Sequence, residues 1–89
     1  MHVLKYTIAK QMSGKKVFTN RGEELGKLID LLVDEKSGEL EDLLVEIAPD
    51  SKAARKLGIT DRIVRIPYAA VTAVSDVVIV DEGNIRAEE

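Results

Sequence analysis

The sequence contains no cysteine and no tryptophan, a single histidine, and three aromatic residues in all: Tyr6, Phe18 and Tyr68. Without cysteine there is no disulfide framework and no thiolate metal site, as suits a reducing compartment. With so few rings, any core is built from Leu, Ile, Val and Ala. There is no excess of positive charge either: 13 basic against 16 acidic residues leave a net charge of −3. Nucleic-acid binders carry a basic patch because phosphate contacts dominate their affinity. The nearest thing here is Lys10, Lys15 and Lys16 with Arg21 close by, and such scattered cations read as a solvated face. No direct contact with nucleic acid is therefore expected. No apolar stretch approaches the ~20 residues of a membrane-spanning helix, so no direct membrane insertion is expected. The segment Met1-His2-Val3-Leu4-Lys5 shows no cleavage pattern; no secretory leader is expected, and the expected location is cytoplasmic.

What is present points to one small domain. The chain has 89 residues, 45% of them hydrophobic, enough for one modest core and too short for two. Glycine punctuates it. Asn20-Arg21-Gly22-Glu23 separates Lys15–Thr19 from Glu24–Asp34, and Asp34-Glu35-Lys36-Ser37-Gly38 separates that segment from Leu40–Ala48. Turns at such intervals indicate short strands joined by hairpins. Periodicity argues otherwise. Leu25, Leu28, Ile29 and Leu32 repeat at helical spacing, as do Leu40, Leu43, Leu44 and Ile47, and both sets fit an amphipathic helix.

Three features favour strands. Gly26 lies inside the first segment, where it weakens a helix by ~1 kcal/mol relative to Ala; in a strand it marks a bulge or sharp bend. Turn residues rather than helix stops bound both segments. The last third is plainly β, in Arg62–Ile66 and Asp76–Asp81, and those β-branched runs need partners. Between the halves, Asp50 or Ser51 is placed to cap a short helix that Gly58 ends, and Pro67 to open one further helical turn. The expected organisation is a single domain over 1–81 followed by a polar tail, 82–89, loose beyond Ile85.

The order Gly14-Lys15-Lys16-Val17, Gly22-Glu23-Glu24-Leu25-Gly26-Lys27, Asp30 and Asp34, Ser37-Gly38, Leu43-Leu44-Val45, Ile66-Pro67-Tyr68-Ala69-Ala70-Val71 and Val77-Val78-Ile79-Val80 resembles the PRC-barrel family, in particular its short stand-alone archaeal members. The likeness covers roughly Met12 to Asp81. It implies a mainly β fold, a small, strongly bent antiparallel β-barrel with one or two short helical turns. Gly14, Gly22, Gly26, Gly38 and Pro67 are its turn and bend positions. It also implies a non-enzymatic adaptor that docks on other macromolecules. Some archaeal members are linked to FtsZ-based cell division through a SepF-type membrane anchor. The alternative is a ribosome- or RNA-processing-associated factor docking on a ribosomal protein, after the family's maturation-factor branch.

The residues offer little to chemistry. The carboxylate clusters are Glu23/Glu24, Asp30/Asp34 and Glu39/Glu41/Asp42. Acid–base catalysis needs two carboxyls in different environments. Glu39 and Glu41, which a strand puts on one side, lie next to a turn where water is plentiful, so a solvated face is expected. The lone His2 has no partner ligands, and Asp34–Glu39 lacks the alternating acids of a calcium loop. Four serines have no imidazole beside them but His2. The acids flanking Gly22–Gly26 repel phosphate. No catalytic residue, metal or cofactor is expected.

A partner is indicated by strands that do not alternate. Val77–Val80 and Leu43–Val45 are apolar on both faces, whereas a small barrel's strands have one inner and one outer face. Exposing two valines forgoes roughly 3–5 kcal/mol of burial. Leu43, Val45, Val78 and Val80 are therefore the candidate interface, in a two-fold homodimer or under a protein partner. The competing reading is that Val3–Ile8 or Pro49–Gly58 folds over them.

Overall fold

The computed structural model describes residues 13–85; the expectations placed on His2, Val3–Ile8, Lys10 and the last four residues lie outside them. Six strands form one sheet: β1 Lys16–Thr19, β2 Glu24–Val33, β3 Leu40–Ile47, β4 Ile63–Pro67, β5 Val71–Val74 and β6 Val78–Val80. Their spatial order is β4-β3-β2-β1-β6-β5. A short helix, α1 (Lys52–Lys56), follows β3, and single 3-10 turns occupy Tyr68–Ala70 and Glu82–Asn84. The fold is mainly β and strongly bent, but among the described residues the sheet is not closed: β4 and β5 are its two edges.

Both doubtful segments are strands, and their helical spacing has a cause. In β2, Leu25, Leu28 and Leu31 are buried, three apart rather than two. Val17 faces Gly26 while Phe18 faces Glu24, so Leu25 is an extra residue against β1. Leu28 faces Val45 while Asp30 faces Leu44, so Ile29 is an extra residue against β3. Each bulge adds one residue and restores the next leucine to the inner face. In β3 the irregularity is on the other strand: Leu32 faces Asp42 while Val33 faces Leu40, so Glu41 is extra against β2. Past it the two-residue period holds, with Leu43 and Val45 fully buried.

The sharp bend lies at Gly26. A Cβ there would collide with the carbonyl oxygen of Glu46 and lie 3.0 Å from the Cα of Ile47. Glycine lets the two backbones cross this closely, so Leu25 and Leu28 on either side reach one interior. The four turn glycines are a separate matter: Gly14, Gly22, Gly38 and Gly58 all have positive φ, which L-residues with a side chain adopt at a cost.

One pairing departs from the antiparallel expectation. β1 and β6 run parallel, with Val17 opposite Val78 and Thr19 opposite Val80. Parallel neighbours need a long crossover, and β2 to β5 together supply it. This pair joins the two hairpin halves, so Val17, Leu25, Leu28, Leu43, Val45, Ile66, Val78 and Val80 form one core with Ala53 and Ala54 of α1. Each of the buried leucines, valines and Ile66 contributes roughly 1.5–3 kcal/mol through burial.

Ser51 fixes α1. Its Oγ accepts from the Ala54 N–H at 3.0 Å and donates to the Glu24 carbonyl at 2.9 Å, capping the helix and tying it to β2. Arg55 and Lys56 sit in the last turn, where the helix dipole favours cations, and Gly58 turns the chain away at φ +75°. Pro67 is one place earlier than expected: it ends β4 and precedes the 3-10 turn as its cap. The stretch from Glu82, expected to be a polar tail, is part of the fold as far as Ile85. Asn20 Oδ1 accepts from the Glu82 N–H at 2.9 Å, and Ile85 is buried in the core cluster.

Substituting the two kinds of glycine should separate their roles. Gly26→Ala forces backbone apart and is expected to cost about 3 kcal/mol or more. Gly22→Ala, with φ +83° but open space around it, should cost about 1–2 kcal/mol. Urea unfolding of both variants checks this; equal midpoints would refute the close crossing at Gly26.

Candidate functional site

Leu43, Val45, Val78 and Val80, the candidate interface, are each fully buried inside the monomer. Residues two apart on a strand share a face, and this pair of faces is the inner one, closed by Val17, Leu25 and Ile66. They are core and are not available to a partner. The outward members of the same runs are Leu44, Val77 and Ile79, all half-buried, with Phe18 beside Ile79 across the β1–β6 pair. These four do not join the core cluster. The two-faced apolar pattern is therefore real, but the pleat assigns its halves the other way round.

The large apolar side chains exposed among the described residues are Val33, Ile63, Tyr68 and Val74. None of them was expected at an interface from the sequence. Val74 carried the one available signal, as the end of the β-branched run Val71-Thr72-Ala73-Val74 before the Ser75-Asp76 turn.

The polar groups are committed to turns and surface pairs. A groove of ≈ 680 Å³ runs beside the Gly26 bend and is lined in part by Lys27, Glu46, Arg55, Asp61 and Arg62. It is open to solvent, and its charges answer one another locally. Arg62 Nη2 lies 3.2 Å from Glu46 Oε2, and Arg55 reaches the carbonyl of Asp50 at 3.5 Å. Among the described residues no three of His, Cys, Asp or Glu come together to hold a metal, and no helix is long and apolar enough to cross a membrane. The basic residues near β1 are split: Lys16 lies at its start, opposite Lys27, whereas Arg21 lies past its far end, 3.5 Å from Glu82.

Lys56 and Glu82 anchor a small charge network. Lys56 Nζ lies 2.9 Å from Glu23 and 3.5 Å from Glu82, whose side chain is 11% exposed. Glu82 Oε2 is buried and makes no aligned hydrogen bond, so its tie to Lys56 is electrostatic. The hydrogen bond from Lys56 to Glu23, reinforced by both carboxylates' charge, raises the lysine above its usual 10.5. The stabilisation is complete below that value and is lost as pH rises through the raised one.

Asp34, the head of the loop with faint calcium-site character, uses its carboxylate on its own turn. Oδ1 accepts from the N–H groups of Lys36 at 2.7 Å and Ser37 at 3.2 Å. These bonds, Lys36 first, hold Asp34 below its ordinary 3.8.

Comparison with known proteins adds a family and a relative. The family model described as the PRC-barrel domain matches residues 8–85. An uncharacterized protein of Methanocaldococcus jannaschii is 42% identical over 78 residues, which cover 88% of this chain and 84% of the relative.

The Asp34 turn has a pH signature. A carboxylate with a depressed pKa contributes stability that is present above the unfolded value and lost as pH falls through the folded one. Asp34→Asn is expected to unfold at lower urea than wild type at pH 7, and the gap should close as pH drops to about 2. A gap constant across that range would show that the carboxylate charge plays no part.

Proposed function

The chain belongs to the PRC-barrel domain family, and we propose that it is a non-catalytic adaptor of the archaeal cell-division machinery, acting in the cytoplasm as a dimer. The observation that carries the binding role is the open sheet. Among the described residues two strand edges and four large apolar side chains, Val33, Ile63, Tyr68 and Val74, are exposed. Backbone groups and apolar side chains offered together are what an extended or apolar partner surface pairs with. Several carboxylates are engaged in turns and ion pairs, Asp34 on its own loop and Glu82 and Glu23 on Lys56.

The division setting rests on the likeness of the glycine and Ile66-Pro67 order to the stand-alone archaeal members. The archaeal relative agrees with the stand-alone type, since its match leaves little of that protein over. In this reading a SepF-type protein brings the adaptor to the division site.

The test is direct binding. Purified full-length chain is titrated against an archaeal SepF-type protein and against FtsZ, alongside affinity purification from the native organism. Saturable binding to a division protein, recovered again from cells, is the expected result. Co-sedimentation with ribosomal particles that weakens with salt, with neither division protein bound, would replace this reading with the ribosomal one.

A further inference from the structure

The two edges of the sheet are built differently. β4 ends in Pro67, which has no N–H to donate, and carries Arg65, 3.9 Å from Asp42 of β3. Arg62, just before it, pairs with Glu46. Proline and charge are the usual means of keeping an edge from pairing. β5 has neither: Val71-Thr72-Ala73-Val74 and the following Ser75 are uncharged. Its one irregularity lies at Thr72, between the Val71 and Ala73 pairings, where the hydroxyl donates back to the Ile79 carbonyl at 3.3 Å.

The inner face shows that this edge is unfinished. Gly26, Val17, Val78 and Val74 lie in one row across four strands. Val17 and Val78 are fully buried, whereas Val74, at the open end, is 44% exposed. A core row thus ends on a bare valine with no described strand beyond it.

We propose that the β5 edge pairs antiparallel with β5 of a second copy about a two-fold axis, covering Val74. This rests on the dimer reading above and names its surface. Charge selects the occupant. Around a two-fold axis a strand meets itself, so a charge near its middle meets its like close by. Two β4 edges paired about the middle of the strand would bring Arg65 against its copy. Two β5 edges meet without such a clash, because the first charge, Asp76, lies beyond Ser75 and the two copies of it fall at opposite ends of the paired segment.

The test compares Val74→Lys on β5 with Ile63→Lys on β4, both at exposed positions where a lysine leaves the monomer fold intact. Mass is measured by sedimentation equilibrium on the full chain. Wild type and Ile63→Lys are expected as dimers, and Val74→Lys at half their mass with an unchanged far-ultraviolet spectrum. A wild type that stays monomeric at every concentration overturns both this proposal and the dimer reading. A dimer that survives Val74→Lys overturns the β5 edge alone. Amide exchange in wild type provides a check that needs no variant. The Val74 amide, which points to the open edge, should gain protection as concentration rises, whereas Ser75, whose N–H already donates to the Val77 carbonyl at 2.8 Å, should not; unchanged protection at Val74 overturns the proposal. Retained binding of division proteins by monomeric Val74→Lys would separate the adaptor role from dimerisation.

Discussion

The crossing of β2 over the end of β3 governs the rest of this structure. At Gly26 the strand passes against the Glu46 carbonyl with no room for a side chain. Because the backbones can approach, one ten-residue strand serves two partners. Its first residues, 24–27, lie against β1, and residues 26–33 pair with β3. Leu25 and Leu28 then enter the same interior as Val78 and Val80, which arrive from the far end of the sheet. A bend placed elsewhere would separate the β1-β6-β5 half from the β2-β3-β4 half and leave two three-stranded sheets with half a core each.

Local chemistry was readable in the residues. Positive φ at Gly14, Gly22 and Gly38, the Ser51 cap, the Gly58 stop and the β-branched last third all depend on neighbours within a few positions. The helical spacing in β2 was readable but ambiguous, because a strand with bulges at Leu25 and Ile29 produces the same three- and four-residue intervals as a helix. What depended on distant partners was hidden. Nothing near Val78 says which of Val77–Val80 points inward, and a one-residue slip exchanges the faces; the assignment of Leu43, Val45, Val78 and Val80 to an interface failed on that point. The parallel β1–β6 pair and the contact of Glu82 with Lys56 join residues far apart in sequence and leave no local trace.

The surface polar groups work as fasteners between elements. Glu82 draws Lys56 of α1 and Arg21 of the β1–β2 turn to the terminal 3-10 turn. Ser51 ties α1 to the Glu24 carbonyl. Exposed pairs of this kind contribute little individually, roughly 0–1 kcal/mol, yet together they fix where the helix and the last turn sit. Ile85, just past that turn, is buried in the core cluster.

The parallel pairing of β1 with β6 bears on how the chain acquires its structure during synthesis. Val17 finds Val78 across about 60 residues, and contacts of such separation slow folding because the loop must close before they form. On the ribosome, β1 and β2 emerge early and remain without one neighbour until residues 78–80 have cleared the exit tunnel. Until then β1 carries an unpaired edge, and unpaired strand edges are what make partly folded chains prone to aggregate.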